Sequence, residues 1–191
     1  MIIRNIKNCG LATFSAILTI VLSSLLLNNG IGISNDGWTY WEASVSLLNN
    51  LEFTYFGGQP LVVFTVPFPA YLSIIQALFG ISGNSLIIGV IILGAATSFI
   101  WTYLFLFFVK TIHNKLIRIL LPIYFSIFIS FIYTILFAEM IFLPLLGLYL
   151  IILFWQYRDD TNIYDLFNNS AMSVIVLALL LMSKNSSLAL L

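Results

Sequence analysis

The sequence predicts an all-α fold: a multi-pass transmembrane helical bundle with interfacial, juxtamembrane helices in its first outer loop. Three observations carry that expectation. Of 191 residues only 7% are charged and 61% are hydrophobic, with a mean hydropathy of +1.10. An ordinary soluble domain carries about 25% charged and about 45–50% apolar residues, so this chain has too little charge to cover a water-facing surface. Long apolar segments recur along the chain, and the few basic residues fall in clusters between them.

The first apolar segment occupies positions 9–27, behind Arg4 and Lys7. It matches the roughly 17–25 residues a span needs and exceeds a signal peptide's apolar core of about 7–15. Asn28, Asn29 and Gly30 follow it without a small-x-small cleavage pattern. A retained first span is therefore expected. Further spans are expected at 86–109, 119–137 and 140–157, and a fifth at 167–183, where Lys184 interrupts the apolar run.

Basic residues set the orientation. None occurs between Lys7 and Lys110; they then cluster at Lys110, Lys115 and Arg118 and return at Arg158. The positive-inside rule makes these clusters cytoplasmic. The N-terminus is then cytoplasmic, and the loop 28–85 and the turn near Glu139 lie outside. Pro60 to Gly80 is apolar and uncharged, but a span there would deliver the 110–118 cluster to the outer side. Pro60, Pro67 and Pro69 also break the helical pattern of its first half. An extended segment followed by a short helix at 70–79, lying at the outer interface, is expected instead. No internal repeat or linker divides the chain, which reads as a single transmembrane domain over 1–191.

The net formal charge is zero, which argues for no nucleic-acid partner. One cysteine, Cys9, allows no intrachain disulfide or cysteine cluster, and the single His113 offers no His-rich metal site. No metal ligand is singled out. Charge in the outer loop is one-sided: Asp36, Glu42 and Glu52 have no basic residue beside them. The run from Ser34 to Leu48 reads as a helix, with Trp41, Val45 and Leu48 at helical spacing and Trp and Tyr suited to the headgroup level.

Asp36 carries two readings. As an N-cap, its carboxylate accepts a first-turn amide, worth about 1 kcal/mol. As a functional acid, it is a carboxylate at the membrane surface that takes a proton or binds a polar substrate. Glu139 reads equally as an acid exposed at a turn or as a site residue. Lys184 either snorkels or faces a cavity that Asp36 and Glu139 border. Glu52, His113 and the acids that follow Arg158 read as solvated surface. The sequons at Asn168 and Asn185 are patterns frequent by chance.

The order of these features resembles the GT-C class of membrane glycosyltransferases, in particular the branch of protein O-mannosyltransferases and the lipid A aminoarabinose transferase. The family's outer loop opens with an acid, then a Tyr and a Leu-containing helix. Here the similar run is Asn35-Asp36-Gly37-Trp38-Thr39-Tyr40, continuing to Leu47 and Leu48. The family's Pro-rich stretch leading to a helix that ends Leu-Phe-Gly looks like Pro67 through Leu78-Phe79-Gly80. Its later acid before a Leu-rich span is similar to Ala138-Glu139, and its basic residue closing a span to Lys184-Asn185-Ser186. Gly37 stands where the family usually has a second acid. Members are much longer, so the resemblance covers their N-terminal portion and implies a truncated module, or a half completed by a second polypeptide.

The resemblance implies inverting glycosyl transfer from a polyprenyl-phosphate-linked sugar to an acceptor on the non-cytoplasmic face. Asp36 is the implied general base, and Tyr40, Glu139 and Lys184 the implied substrate-binding residues. The leaving lipid phosphate would be stabilised by basic residues or a divalent cation; the sequence leaves the cofactor open. Two other classes stay open beside the enzyme: a non-catalytic membrane subunit, and a fragment of a transporter of lipid-linked substrates. The missing repeat counts modestly against the last.

Overall fold

The computed structural model describes residues 2–33, 35–55, 58–60, 66–108, 115–136, 139–156 and 174–179. The described chain is mostly helical. Its elements are α1 (Ile2–Leu26), β1 (Gly32–Ile33), α2 (Asn35–Asn50), β2 (Thr54–Tyr55), β3 (Gln59–Pro60), α3 (Pro67–Phe79), α4 (Gly83–Phe108), α5 (Lys115–Ile132), β4 (Ile135–Leu136) and α6 (Glu139–Gln156). Residues 174–179 are also helical. The strands form two-residue ladders only: β1 parallel to β4, and β2 antiparallel to β3.

Two helices are long and apolar enough to cross a membrane, over Lys7–Asn29 and Gly83–Phe107. The apolar parts of α5 (Leu116–Ile132) and α6 (Met140–Leu153) are shorter. The apolar segments at 9–27, 86–109, 119–137 and 140–157 overlap α1, α4, α5 and α6, with α1 starting at Ile2 and α5 running from Lys115 to Ile132. The fifth expected span, 167–183, falls almost wholly outside the described residues, as does Lys184.

Hydrogen bonds between helices give their directions. Asn8 Nδ2 donates to Leu106 O (3.4 Å), and Ser15 Oγ lies 2.6 Å from Ser98 Oγ, so α1 and α4 are antiparallel. Arg118 donates to Asn8 Oδ1 (2.9 Å), Ser126 lies 3.0 Å from Ser15, and Ser130 donates to Thr19 O (3.4 Å), so α1 and α5 are parallel. Trp101 Nε1 donates to Leu143 O (3.1 Å), and Gly147 lies against Ile100, which sets α6 beside α4.

Packing around α1 inverts the soluble pattern. On α1 the buried positions are Asn8, Ala12, Ser15, Thr19 and Ser23, one row at helical spacing, while Phe14, Ile17, Val21 and Leu25 are exposed. α4 adds buried Thr97, Ser98 and Thr102, and α5 adds buried Ser126 and Ser130 while exposing Ile119, Tyr124, Ile127 and Phe131. Small hydroxyl-bearing side chains let helix backbones approach. The hydroxyls of Ser15, Thr19, Thr97, Thr102, Ser126 and Ser130 find partners inside, while that of Ser23 has none among the described residues. Ser15 is the hub. Thr102 donates to its Oγ (3.0 Å), Ser15 in turn donates to Pro122 O (3.0 Å), and Ser126 donates to Ser15 O (2.9 Å).

The apolar core lies at the other end of the bundle, where Tyr40, Phe68, Leu72, Leu86, Val90, Ile129, Tyr133 and Met140 pack together. α3 begins three residues earlier than expected, at Pro67. Pro67 and Pro69 fall in its first turn, where a missing N–H costs nothing and the fixed φ favours the helix. The prolines therefore start this helix instead of breaking it. It ends at Gly80, whose φ of 84° stops the helix and whose N–H bonds Gln76 O (2.8 Å). Tyr71 Oη donates to Gly89 O (2.5 Å), and Ile75 lies against Gly89, docking α3 on the first half of α4.

Candidate functional site

The site begins at the parallel ladder. Gly32 pairs with Ile135 and Ile33 with Leu136, and Gly32 N–H donates to Thr134 O (3.0 Å). Paired strands stand about 4.8 Å apart. α2 starts at Asn35 and α6 at Glu139. Asp36 thus lies three residues beyond Ile33, and Glu139 three residues beyond Leu136, the residue paired with Ile33. Two acids separated by more than a hundred positions are delivered to the first turns of two helices that leave one ladder.

Asp36 belongs to the first turn of α2 and not to the capping position of one of its two readings, because the helix already includes Asn35. The register of α2 sets position 36 in one row with positions 40 and 43. Tyr40 is 4% exposed, its ring edge-on to Phe68 with centroids 5.5 Å apart. It is a wall of the core, so a substrate would meet little of it unless this packing opened. Lys184 lies outside the described residues, so three of the four candidate residues can be placed, all at the ladder end.

The opposite end carries described basic residues. Lys7 is exposed there, and Arg118 is held by Asn8. The helix directions thus separate the described bases from the two candidate acids by the length of the bundle.

Beneath the ladder a polar joint locks α4, α5 and α6. Pro144 lies inside α6 and has no N–H to give the carbonyl four residues back, that of Met140. Tyr133 Oη supplies the donor instead, 2.6 Å from Met140 O, and lies 2.8 Å from Thr97 Oγ1. Tyr71, which faces Gly89 O, has its phenol pushed above its ordinary range by burial.

The outward face of α2 lines an open groove of about 590 Å³ together with the β2–β3 hairpin. Trp41 and Val45, expected as part of the helix's apolar stripe, line this groove, while Tyr40, Ala43 and Ser44 are the buried face. Ser44 accepts from Gln76 Nε2 (2.8 Å), which ties α2 to α3. No motif in the sequence marks the groove. Its trace is Trp38, Trp41 and Glu42 at i, i+3 and i+4, of which Trp41 also packs against the core.

Among the described residues no group of three or more His, Cys, Asp or Glu side chains is arranged to hold a metal ion. Comparison with family profiles, with characterised proteins and with solved structures finds no match.

Proposed function

We propose that this chain is a multi-pass membrane module that transfers a sugar from a polyprenyl-phosphate carrier to an acceptor at the face bearing α2 and α3. The observation that carries this reading is the β1–β4 ladder, from which the first turns of α2 and α6, with positions 36 and 139, leave one end of the bundle, away from Lys7 and Arg118. The inverted packing supports the membrane part. Exposed Phe14, Ile17, Val21 and Ile127 suit hydrocarbon, while the hydroxyls of Ser15, Thr19, Ser98 and Ser126 are satisfied within the bundle. By the positive-inside rule the Arg118 end is cytoplasmic and the ladder end is outside.

The chemistry follows from the acid. The carboxylate of Asp36 takes the proton of an acceptor hydroxyl as that oxygen attacks the anomeric carbon from the face opposite the phosphate. The new C–O bond forms as the bond to the lipid phosphate breaks, so configuration inverts and the polyprenyl phosphate leaves as an anion. Glu139 positions the acceptor, and Lys184 meets the phosphate.

The test combines location with turnover. Cysteines placed at position 36 and within 110–118 are expected to label from opposite sides of sealed vesicles. Membranes containing the protein are expected to release polyprenyl phosphate from a polyprenyl-phosphate sugar, with at least a hundredfold loss in Asp36→Asn. Labelling of both positions from one side overturns the topology. Unchanged release in Asp36→Asn overturns the base. No release with any donor of a panel leaves the non-catalytic subunit as the better reading.

A further inference from the structure

The groove on α2 carries an inference independent of the transferase reading. α2 supplies Trp38, Trp41, Glu42 and Ser46 to its wall, and the segment that follows supplies Glu52 and Thr54. Its shape is built. Trp38 Nε1 donates to Glu42 Oε1 (2.9 Å), setting an indole and a carboxylate side by side one helical turn apart. Ser46 Oγ and Thr54 Oγ1 lie 2.5 Å apart and pin the hairpin against the helix.

Between them the chain turns through Leu51, whose φ of 58° is a left-handed conformation that side chains with a Cβ adopt at a cost of about 1 kcal/mol or more. Leu51 N–H still bonds Leu47 O (3.0 Å), so the turn is held by the helix end and carries Glu52 to the groove's rim. Strain of this kind persists where the surrounding structure over-determines it.

Chemistry narrows the occupant. Among the described residues the lining holds two carboxylates and no basic side chain, so its charge favours a cation over a phosphate or carboxylate. Trp38 is 46% exposed, leaving its indole open to a ligand. Indole faces attract cations through the ring quadrupole, and an adjacent carboxylate completes the charge match. Asn49 and Asn50 add carboxamides that accept hydrogen bonds from an N–H or O–H group.

We propose that this groove binds an ammonium headgroup, with Trp38 and Trp41 packing on the cation and Glu42 and Glu52 supplying the opposite charge. The ammonium comes either from a zwitterionic lipid at the bilayer surface or from a soluble amine, and the experiment separates the two.

The full chain in maltoside micelles is titrated with choline chloride, followed by tryptophan emission. The uncharged 3,3-dimethyl-1-butanol, of the same shape, is the control. Choline is expected to give a saturable change and the neutral alcohol none. The double substitution Glu42→Gln with Glu52→Gln keeps the shape of the groove, and is expected to weaken choline at least tenfold with an unchanged far-ultraviolet circular dichroism spectrum. In nanodiscs, loss of choline binding with phosphatidylcholine but not with phosphatidylglycerol identifies the lipid headgroup as occupant. Undiminished binding in both identifies a soluble amine. An equal response to choline and the neutral alcohol, no saturable response to choline, or undiminished choline affinity in the double glutamine variant overturns the proposal.

Discussion

Replacing Tyr133 by Phe keeps the ring and removes one oxygen. Tyr133 and Met140 are both fully buried. Tyr133 Oη is the donor at 2.6 Å to a carbonyl that Pro144 has deprived of its helical N–H. Thr97 Oγ1 is not orphaned by the change, since it also bonds Leu93 O (2.8 Å). The loss therefore falls on Met140 O alone. An unsatisfied buried acceptor costs about 1–3 kcal/mol, and inter-helix hydrogen bonds in membrane bundles reach at most about 1.7 kcal/mol. Tyr133→Phe is thus expected to cost roughly 1–1.5 kcal/mol. Pro144→Ala restores an N–H four residues after Met140, so in that background the same change is expected to cost about half as much or less. The assay is reversible unfolding in mixed dodecylmaltoside and SDS micelles for the four corners of the double-mutant cycle. A coupling energy below about 0.3 kcal/mol would refute the assignment of Tyr133 as the donor that replaces the proline's missing one.

Two further outcomes follow from close contacts and from titration. A Cβ added at Gly147 runs into Ile100 Cγ2, whereas one added at Gly94 meets Thr19 and Tyr133 at an ordinary 3.6 Å. Gly147→Ala should therefore destabilise by about 1–2 kcal/mol through overpacking, despite its better helix propensity. Gly94→Ala should be neutral or stabilising by up to about 1 kcal/mol, and equal effects in the same micelle assay would contradict this packing of α4 on α6. Burial raises the phenol of Tyr71 above its ordinary value, about 10, and a raised acid favours the folded state only while it is protonated. Its contribution is complete below about pH 10 and is lost as pH rises through the higher folded value. The unfolding midpoint should hold from about pH 7 to about pH 9.5 and then fall, less steeply in Tyr71→Phe; an identical alkaline slope in that variant would show that Tyr71 is not protected.

Helix positions were legible because apolar length is a local property. The apolar segments overlap α1, α4, α5 and α6, though α1 begins at Ile2, ahead of position 9, and α5 ends at Ile132, short of position 137. The polar row from Asn8 through Ser15 to Ser23 shows only in the packing. Faces were less legible. α2 has apolar residues on two sides, Tyr40 with Ala43 and Trp41 with Val45, and periodicity cannot say which side α3 covers. Pro67 and Pro69 carry the same ambiguity, since a proline that breaks a helix interior also starts a helix well.

What the sequence alone determined is thus the helical class, the apolar lengths and the segregation of basic residues, all of which follow from composition within a window of about twenty positions. Tertiary structure decided what joins distant windows. The β1–β4 ladder pairs Gly32 with Ile135, the Tyr133 hydroxyl answers Pro144, and the β2–β3 hairpin folds back on α2 to make a groove. The first two satisfy backbone groups whose need is local but whose partner is not. The hairpin is held by one hydroxyl pair, Ser46 with Thr54, that no period in the chain announces.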